Sequence, residues 1–70
     1  RVNKLKEAIN TCRTALKLDP SDALAHNNLG YALALQGNIN EAIVEFKKAL
    51  VFDPDLKIAQ ENLDNYQNKK

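Results

Sequence analysis

The sequence predicts an all-α chain of four helices, and three observations carry that expectation. Shifting the 70 residues by 34 positions brings ten identities into register, and a fixed period of this length implies an architecture of repeated units. Within each unit, apolar residues recur at steps of three and four, the spacing of one helical face. Short turn signals separate these stretches, Asp19-Pro20 and Asp53-Pro54 among them, and leave no room for a sheet.

The first helix is read in "LKEAINTCRTALKLDP", where Leu5, Ala8, Ile9, Cys12, Ala15 and Leu16 fall on one stripe. Asp19-Pro20 ends it, because proline disfavours helical geometry in the residue before it. A second helix is expected from about Asp22 to Gln36, with Ser21 as its N-cap and Gly37 as its left-handed C-terminal cap. Asn38 with Glu41 has the spacing of a capping box, opening a third helix from about Ile39 to Phe52. Asp53-Pro54 repeats the stop, and a fourth helix is expected from about Asp55 to near Lys69. The register pairs Glu7-Ala8-Ile9 with Glu41-Ala42-Ile43, Ala15-Leu16 with Ala49-Leu50, and Asn28-Leu29 with Asn62-Leu63. Each unit therefore reads as an antiparallel helical hairpin.

Composition narrows the function classes. Seventy residues of 44% hydrophobic content suffice for one small domain. A net charge of +1 gives no overall field that would select nucleic acid or an anionic membrane, and Lys4, Lys6, Arg13, Lys17, Lys47, Lys48, Lys69 and Lys70 are interspersed with acids. No apolar run approaches the roughly 18 residues of a membrane span. Cys12 is the only cysteine, so an internal disulfide and a Cys/His metal cluster are excluded. No cofactor is expected, and a reducing, cytoplasmic setting is the expected location.

Catalysis has little to work with. His26 is the only histidine, and the hydroxyls of Ser21 and Tyr31 each lie five residues away, off its helical face. His26 therefore reads as a packed helix residue rather than a base. Cys12, on an apolar stripe, reads as a small hydrophobe rather than a nucleophile. Asp19 and Asp22, like Asp53 and Asp55, sit beside prolines where acids suit helix ends better than metal binding.

Leu29, Gly30, Gly37, Ala42, Phe46, Ala49 and Pro54, at these spacings within a 34-residue period, resemble the tetratricopeptide repeat. Gly30 and Ala42 leave room for two helices to approach, while Leu29 and Phe46 fill the space around them. The resemblance implies a short right-handed solenoid in one domain. Residues 1–20 form the second helix of a truncated repeat, 21–54 a complete repeat, and 55–70 a capping helix. Asp64 in place of Gly30, with Gln60 and Gln67, makes that last helix polar, as suits the end of a stack. The chain is thus expected to be the C-terminal end of a longer array.

The resemblance further implies a non-enzymatic interaction module whose concave groove receives a peptide segment of a protein partner. Its groove-facing residues would be Leu24, Asn27, Asn28, Tyr31 and Leu35 of the second helix and Ile58, Glu61, Asn62 and Asn65 of the fourth. Asn28 and Asn62 hold equivalent places, and asparagine can both donate to and accept from a peptide backbone. Asn27, matched by Glu61, would be the variable neighbour that tunes the partner. Two other readings stand beside this one. The chain could be a structural segment self-associating through Leu5, Ile9 and Cys12 of an uncovered first helix, or the substrate-selecting part of a larger enzyme. A four-helix chain of this size is expected either to self-associate through that first helix or to be only modestly stable alone.

Overall fold

The computed structural model describes residues 2–67, which form four α-helices: α1 (Val2–Leu18), α2 (Ala23–Gln36), α3 (Ile39–Phe52) and α4 (Lys57–Gln67). Among the described residues there is no strand, and the chain is all-α as expected.

The turns explain where the helices start. The Asp19 carboxylate accepts from both the backbone N–H (3.1 Å) and the hydroxyl (2.8 Å) of Ser21, so Ser21 is held in the turn. Asp22, not Ser21, is the N-cap of α2: its backbone is extended and its carboxylate accepts from the Ala25 amide at 3.1 Å. Gly37 closes α2 with φ of 99°, and the Asn38 amide reaches back to the Leu33 carbonyl at 2.9 Å. Asn38 is the N-cap residue of α3, but the expected capping box with Glu41 does not form. Its backbone is committed to closing α2, and its side-chain amide donates to Gln36 Oε1 instead. α4 starts at Lys57, later than Asp55, because the Asp53 carboxylate accepts from the Asp55 amide while its carbonyl accepts from Leu56. The expected continuation towards Lys69 lies outside the described residues.

α2 is the central element and packs against α1, α3 and α4. Its contact with α3 is the closest. A Cβ added at Gly30 would lie 2.7 Å from Phe46 Cε1 and 3.0 Å from the Ala42 carbonyl oxygen. Glycine is thus required here for approach, not for backbone conformation. Phe46 and Ala42 are fully buried, and Ile9, Leu29, Leu33 and Leu63 complete a core shared by all four helices. Burying a side chain such as Phe46 contributes about 1.5–3 kcal/mol. The phenyl ring also stacks on Tyr66 at a centroid distance of 5.9 Å, tying α4 to α3.

Gly30→Ala therefore trades a helix-propensity gain of about 1 kcal/mol against an overpacking cost of about 1–3 kcal/mol. Net destabilisation, read as a lower thermal midpoint by circular dichroism, is the expected outcome, and Gly30→Leu should abolish the transition.

A candidate docking groove between the first two helices

With three sides of α2 covered, one stripe is left at Leu24, Asn28, Tyr31 and Leu35, in steps of four, three and four residues. Leu24 and Leu35 are each 54% exposed and Tyr31 48%, large apolar surface on the middle helix of the molecule. Tyr31, Asn28, Ala32 and Leu35 face Leu5, Ala8, Thr11 and Cys12 of α1 across an open, mainly apolar groove of about 420 Å³. Asn28, Tyr31 and Leu35 of the expected peptide-binding set and Leu5 and Cys12 of the expected self-association set thus line one concavity.

Some assignments change. Ile9 is buried beneath α2, so it offers nothing to a partner; only Leu5 and Cys12, both half-buried, remain accessible from the expected self-association set. Asn27 is expected on the groove face, yet it is 2% exposed. Its Oδ1 accepts from Asn62 Nδ2 at 3.0 Å, so the pair ties α2 to α4. Asn27 is buried where α4 packs on α2, and the bond from Asn62 keeps its side-chain oxygen from being left unpaired there. Asn62, half-buried, is correspondingly occupied, whereas Asn28, its counterpart by register, is exposed. Ile58, Glu61 and Asn65 are exposed on α4 and do not line the groove.

His26 is buried within a closed set of contacts. Nε2 lies 2.8 Å from the Pro20 carbonyl oxygen and Nδ1 2.8 Å from Glu45 Oε1, and the ring stacks on Phe52 at 5.6 Å. It links α2 to α3 and to the preceding turn, which agrees with the packed-helix reading. The sequence search for hydroxyl neighbours missed Glu45, because a partner 19 residues away leaves no local spacing signal. Among the described residues, no buried side-chain nitrogen or oxygen lacks a partner.

Cys12 opens onto the groove, and burial pushes its thiol pKa up. The thiol form that results packs as a hydrophobe and is a poor nucleophile. Thr11 and Ala32, which also line the groove, were not marked by any periodic or polar signal, and Ala8 was marked only as part of the apolar stripe of the first helix. Among the described residues no group of three His, Cys, Asp or Glu side chains could hold a metal ion, and no helix is long and apolar enough to cross a membrane.

Two measurements follow from this geometry. Asn62→Ala leaves the Asn27 carbonyl oxygen buried without a donor, which should cost about 1–3 kcal/mol in denaturant unfolding. Asn28→Ala, at an exposed site, should cost within about 0.5 kcal/mol. Cys12 should react with iodoacetamide more slowly than a free cysteine at neutral pH and accelerate only at a higher pH than a free thiol does; equal rates in the folded and urea-unfolded chain would contradict the burial.

Comparison with known proteins agrees with this architecture. A family model described as TPR repeat matches residues 2–37, and one described as Tetratricopeptide repeat matches 23–56. The chain is 36% identical over 63 residues to the Heat shock protein STI1 of Saccharomyces cerevisiae, covering 90% of this chain and 11% of that protein. It is 40% identical over 57 residues to the Peroxisomal targeting signal receptor of Kluyveromyces lactis, covering 81% of this chain and 10% of the receptor. It is 33% identical over 69 residues to the chloroplastic Tetratricopeptide repeat domain-containing protein PYG7 of Arabidopsis thaliana, covering 99% of this chain and 23% of that protein. The chain spans a quarter or less of the length of these relatives. With a family match over residues 2–37, just over half of its 70 residues, and the paired hairpins seen above, the chain belongs to the tetratricopeptide repeat family.

Proposed function

We propose that this chain is a non-enzymatic protein-interaction module that receives a segment of a protein partner along the exposed stripe of α2. The observation that carries this reading is the alignment of Leu24, Asn28, Tyr31 and Leu35 on the one open side of an otherwise buried helix, beside the apolar groove shared with α1. A tetratricopeptide helical repeat is a protein-binding scaffold, and the relatives whose names describe a heat shock protein and a targeting signal receptor support that class of role.

The chemistry of binding follows from the side chains. Tyr31 supplies a large, stiff apolar face with a hydroxyl at its edge, the type of residue that anchors protein interfaces. Leu24 and Leu35 flank it by one to two turns. Asn28, free of an intramolecular partner among the described side-chain hydrogen bonds, can pair with both the N–H and the C=O of a peptide unit. On α4, Ile58, Glu61 and Asn65 extend the surface, with Glu61 preferring a basic or hydrogen-bond-donating residue of the partner. Asn62 contributes by holding α2 and α4 in place. Residues 21–54 form the complete repeat in this proposal, flanked by α1 and α4.

The test uses an array of synthetic peptides probed with the 70-residue chain. Asn28→Ala combined with Tyr31→Ala should weaken the retained peptides by at least tenfold, about 1.4 kcal/mol, with an unchanged far-ultraviolet circular dichroism spectrum. Unchanged affinity in the double variant overturns the assignment of the α2 stripe.

A further inference from the structure

Away from the α2 stripe, a recess of about 250 Å³ lies between α1 and the turn joining α2 to α3. Lys6, Asn10 and Arg13 border it from α1, at the four- and three-residue steps of one helical face. Gln36 and Asn38 border it from the turn, and the buried side chains of Ile9 and Leu33 line it from beneath. No carboxylate lines it, although Glu7 directly follows Lys6 in the chain. Among the described residues the ion pairs are those of Glu45 with His26 and Lys48, so neither Lys6 nor Arg13 is engaged in one. The recess is therefore rich in donors, because lysine and arginine can only donate. Gln36 Oε1 accepts from Asn38 Nδ2 at 3.0 Å, which occupies the acceptor end of Gln36 and leaves its Nε2 hydrogens to solvent.

The 34-residue register tells which neighbours would leave this face uncovered. It places Lys6, Asn10 and Arg13 on Asn40, Val44 and Lys47 of α3, and all three are exposed even though α2 packs against that helix. A helix seated on α1 as α2 is seated on α3 would leave Lys6, Asn10 and Arg13 exposed in the same way. The recess also shares no residue with the groove between α1 and α2.

We propose that this recess binds the phosphomonoester of a phosphorylated serine or threonine in a protein partner. Such a group carries a charge of about −1.5 to −2 at neutral pH and three strong acceptor oxygens. Lys6 and Arg13 together balance a dianion, whereas a single carboxylate would match only one of them. They stand seven residues apart, about 10 Å along the helix axis, and bracket Asn10, so a group seated over Asn10 is within reach of both. Arg13 grips two oxygens with its planar fork and Lys6 supplies a point charge. The amides of Asn10, Gln36 and Asn38 donate to what remains. Ile9 and Leu33 exclude water from one side, where a charged contact is stronger than in bulk solvent. A nucleic acid or an anionic membrane would need cations spread along a track. The matching face of α3 offers Asn40, Val44, Lys47 and Val51, with one cation, and the whole chain has a net charge of +1. The site goes beyond peptide docking on α2 and is independent of it, because Leu24, Asn28, Tyr31 and Leu35 lie outside the recess.

Nuclear magnetic resonance titration of the 70-residue chain with N-acetyl-O-phosphoserine amide tests this directly. The backbone amides of Lys6, Asn10, Arg13, Gln36 and Asn38 should shift saturably in the millimolar range, and less at high salt. N-acetylserine amide, which lacks the phosphate, should shift none of them. Lys6→Gln combined with Arg13→Gln should weaken binding at least tenfold. Lys17→Gln combined with Lys47→Gln removes the same charge from exposed sites outside the recess and should weaken it less than about twofold. Asn38→Asp sets a carboxylate among the donors while keeping a favoured N-cap residue, and should also weaken binding about tenfold. All the substituted sites are exposed, and circular dichroism verifies that each variant folds. Vesicles of phosphatidylcholine with phosphatidic acid present the same monoester on a membrane and should not retain the chain. Absence of saturable shifts overturns the site, as do equal losses in the two double variants. Retention by those vesicles overturns the assignment to a protein partner.

Discussion

The structure depends on the contact between Gly30 and Phe46. Without a Cβ at Gly30, the α2 backbone comes close enough to α3 for the phenyl ring to lie directly beneath it, next to the Ala42 carbonyl. One turn earlier on α2, His26 reaches Glu45, and the ring of Phe46 continues to Tyr66 on α4. Three helices are thereby fixed by a single row of contacts. α1 joins from the other side through Ile9, which packs in the same cluster as Leu29 and Leu33. An interior packed this densely has little slack, so the placement of α2 sets the position of everything around it.

That placement also decides which surface α2 leaves exposed. A helix covered by neighbours on three sides can expose only the remaining strip, and on α2 that strip carries two leucines, a tyrosine and an asparagine. In most surface helices such a strip would be charged. Here it has no charged side chain, and it continues into the groove against α1. Apolar area of this kind on the outside of a small protein is what the proposed docking role rests on.

The two halves of the repeat solve the same packing problem with different residues. Phe46 fills the angle between α2, α3 and α4, while its counterpart Cys12 leaves an opening between α1 and α2. Asn62 spends its amide on Asn27, while its counterpart Asn28 is exposed to solvent. In each comparison the residue facing a filled space is satisfied internally and its equivalent facing the groove is available. Burial makes an unmatched polar group costly, whereas exposure leaves it solvated until a partner arrives.

The four helices, their order and the close approach at Gly30 were legible in the sequence, because they follow from apolar spacing, Asp-Pro punctuation and the 34-residue period, all of which are local or periodic properties. The exposed stripe at Leu24, Asn28, Tyr31 and Leu35 was legible for the same reason, as residues of one helical face. What a neighbour contributes was not. Asn27 and Asn28 are adjacent and chemically identical, and only the position of α4 decides that one is a buried tie and the other an open donor. Ile9 and Cys12 share a stripe on α1, and only the angle at which α2 crosses covers the first and leaves the second at the groove. The capping roles of Ser21 and Asn38 moved because hydrogen bonds in the turns compete for the same groups. Helical period specifies which residues share a face; which faces meet, and which groups are then desolvated, is settled by the packing of one helix on another.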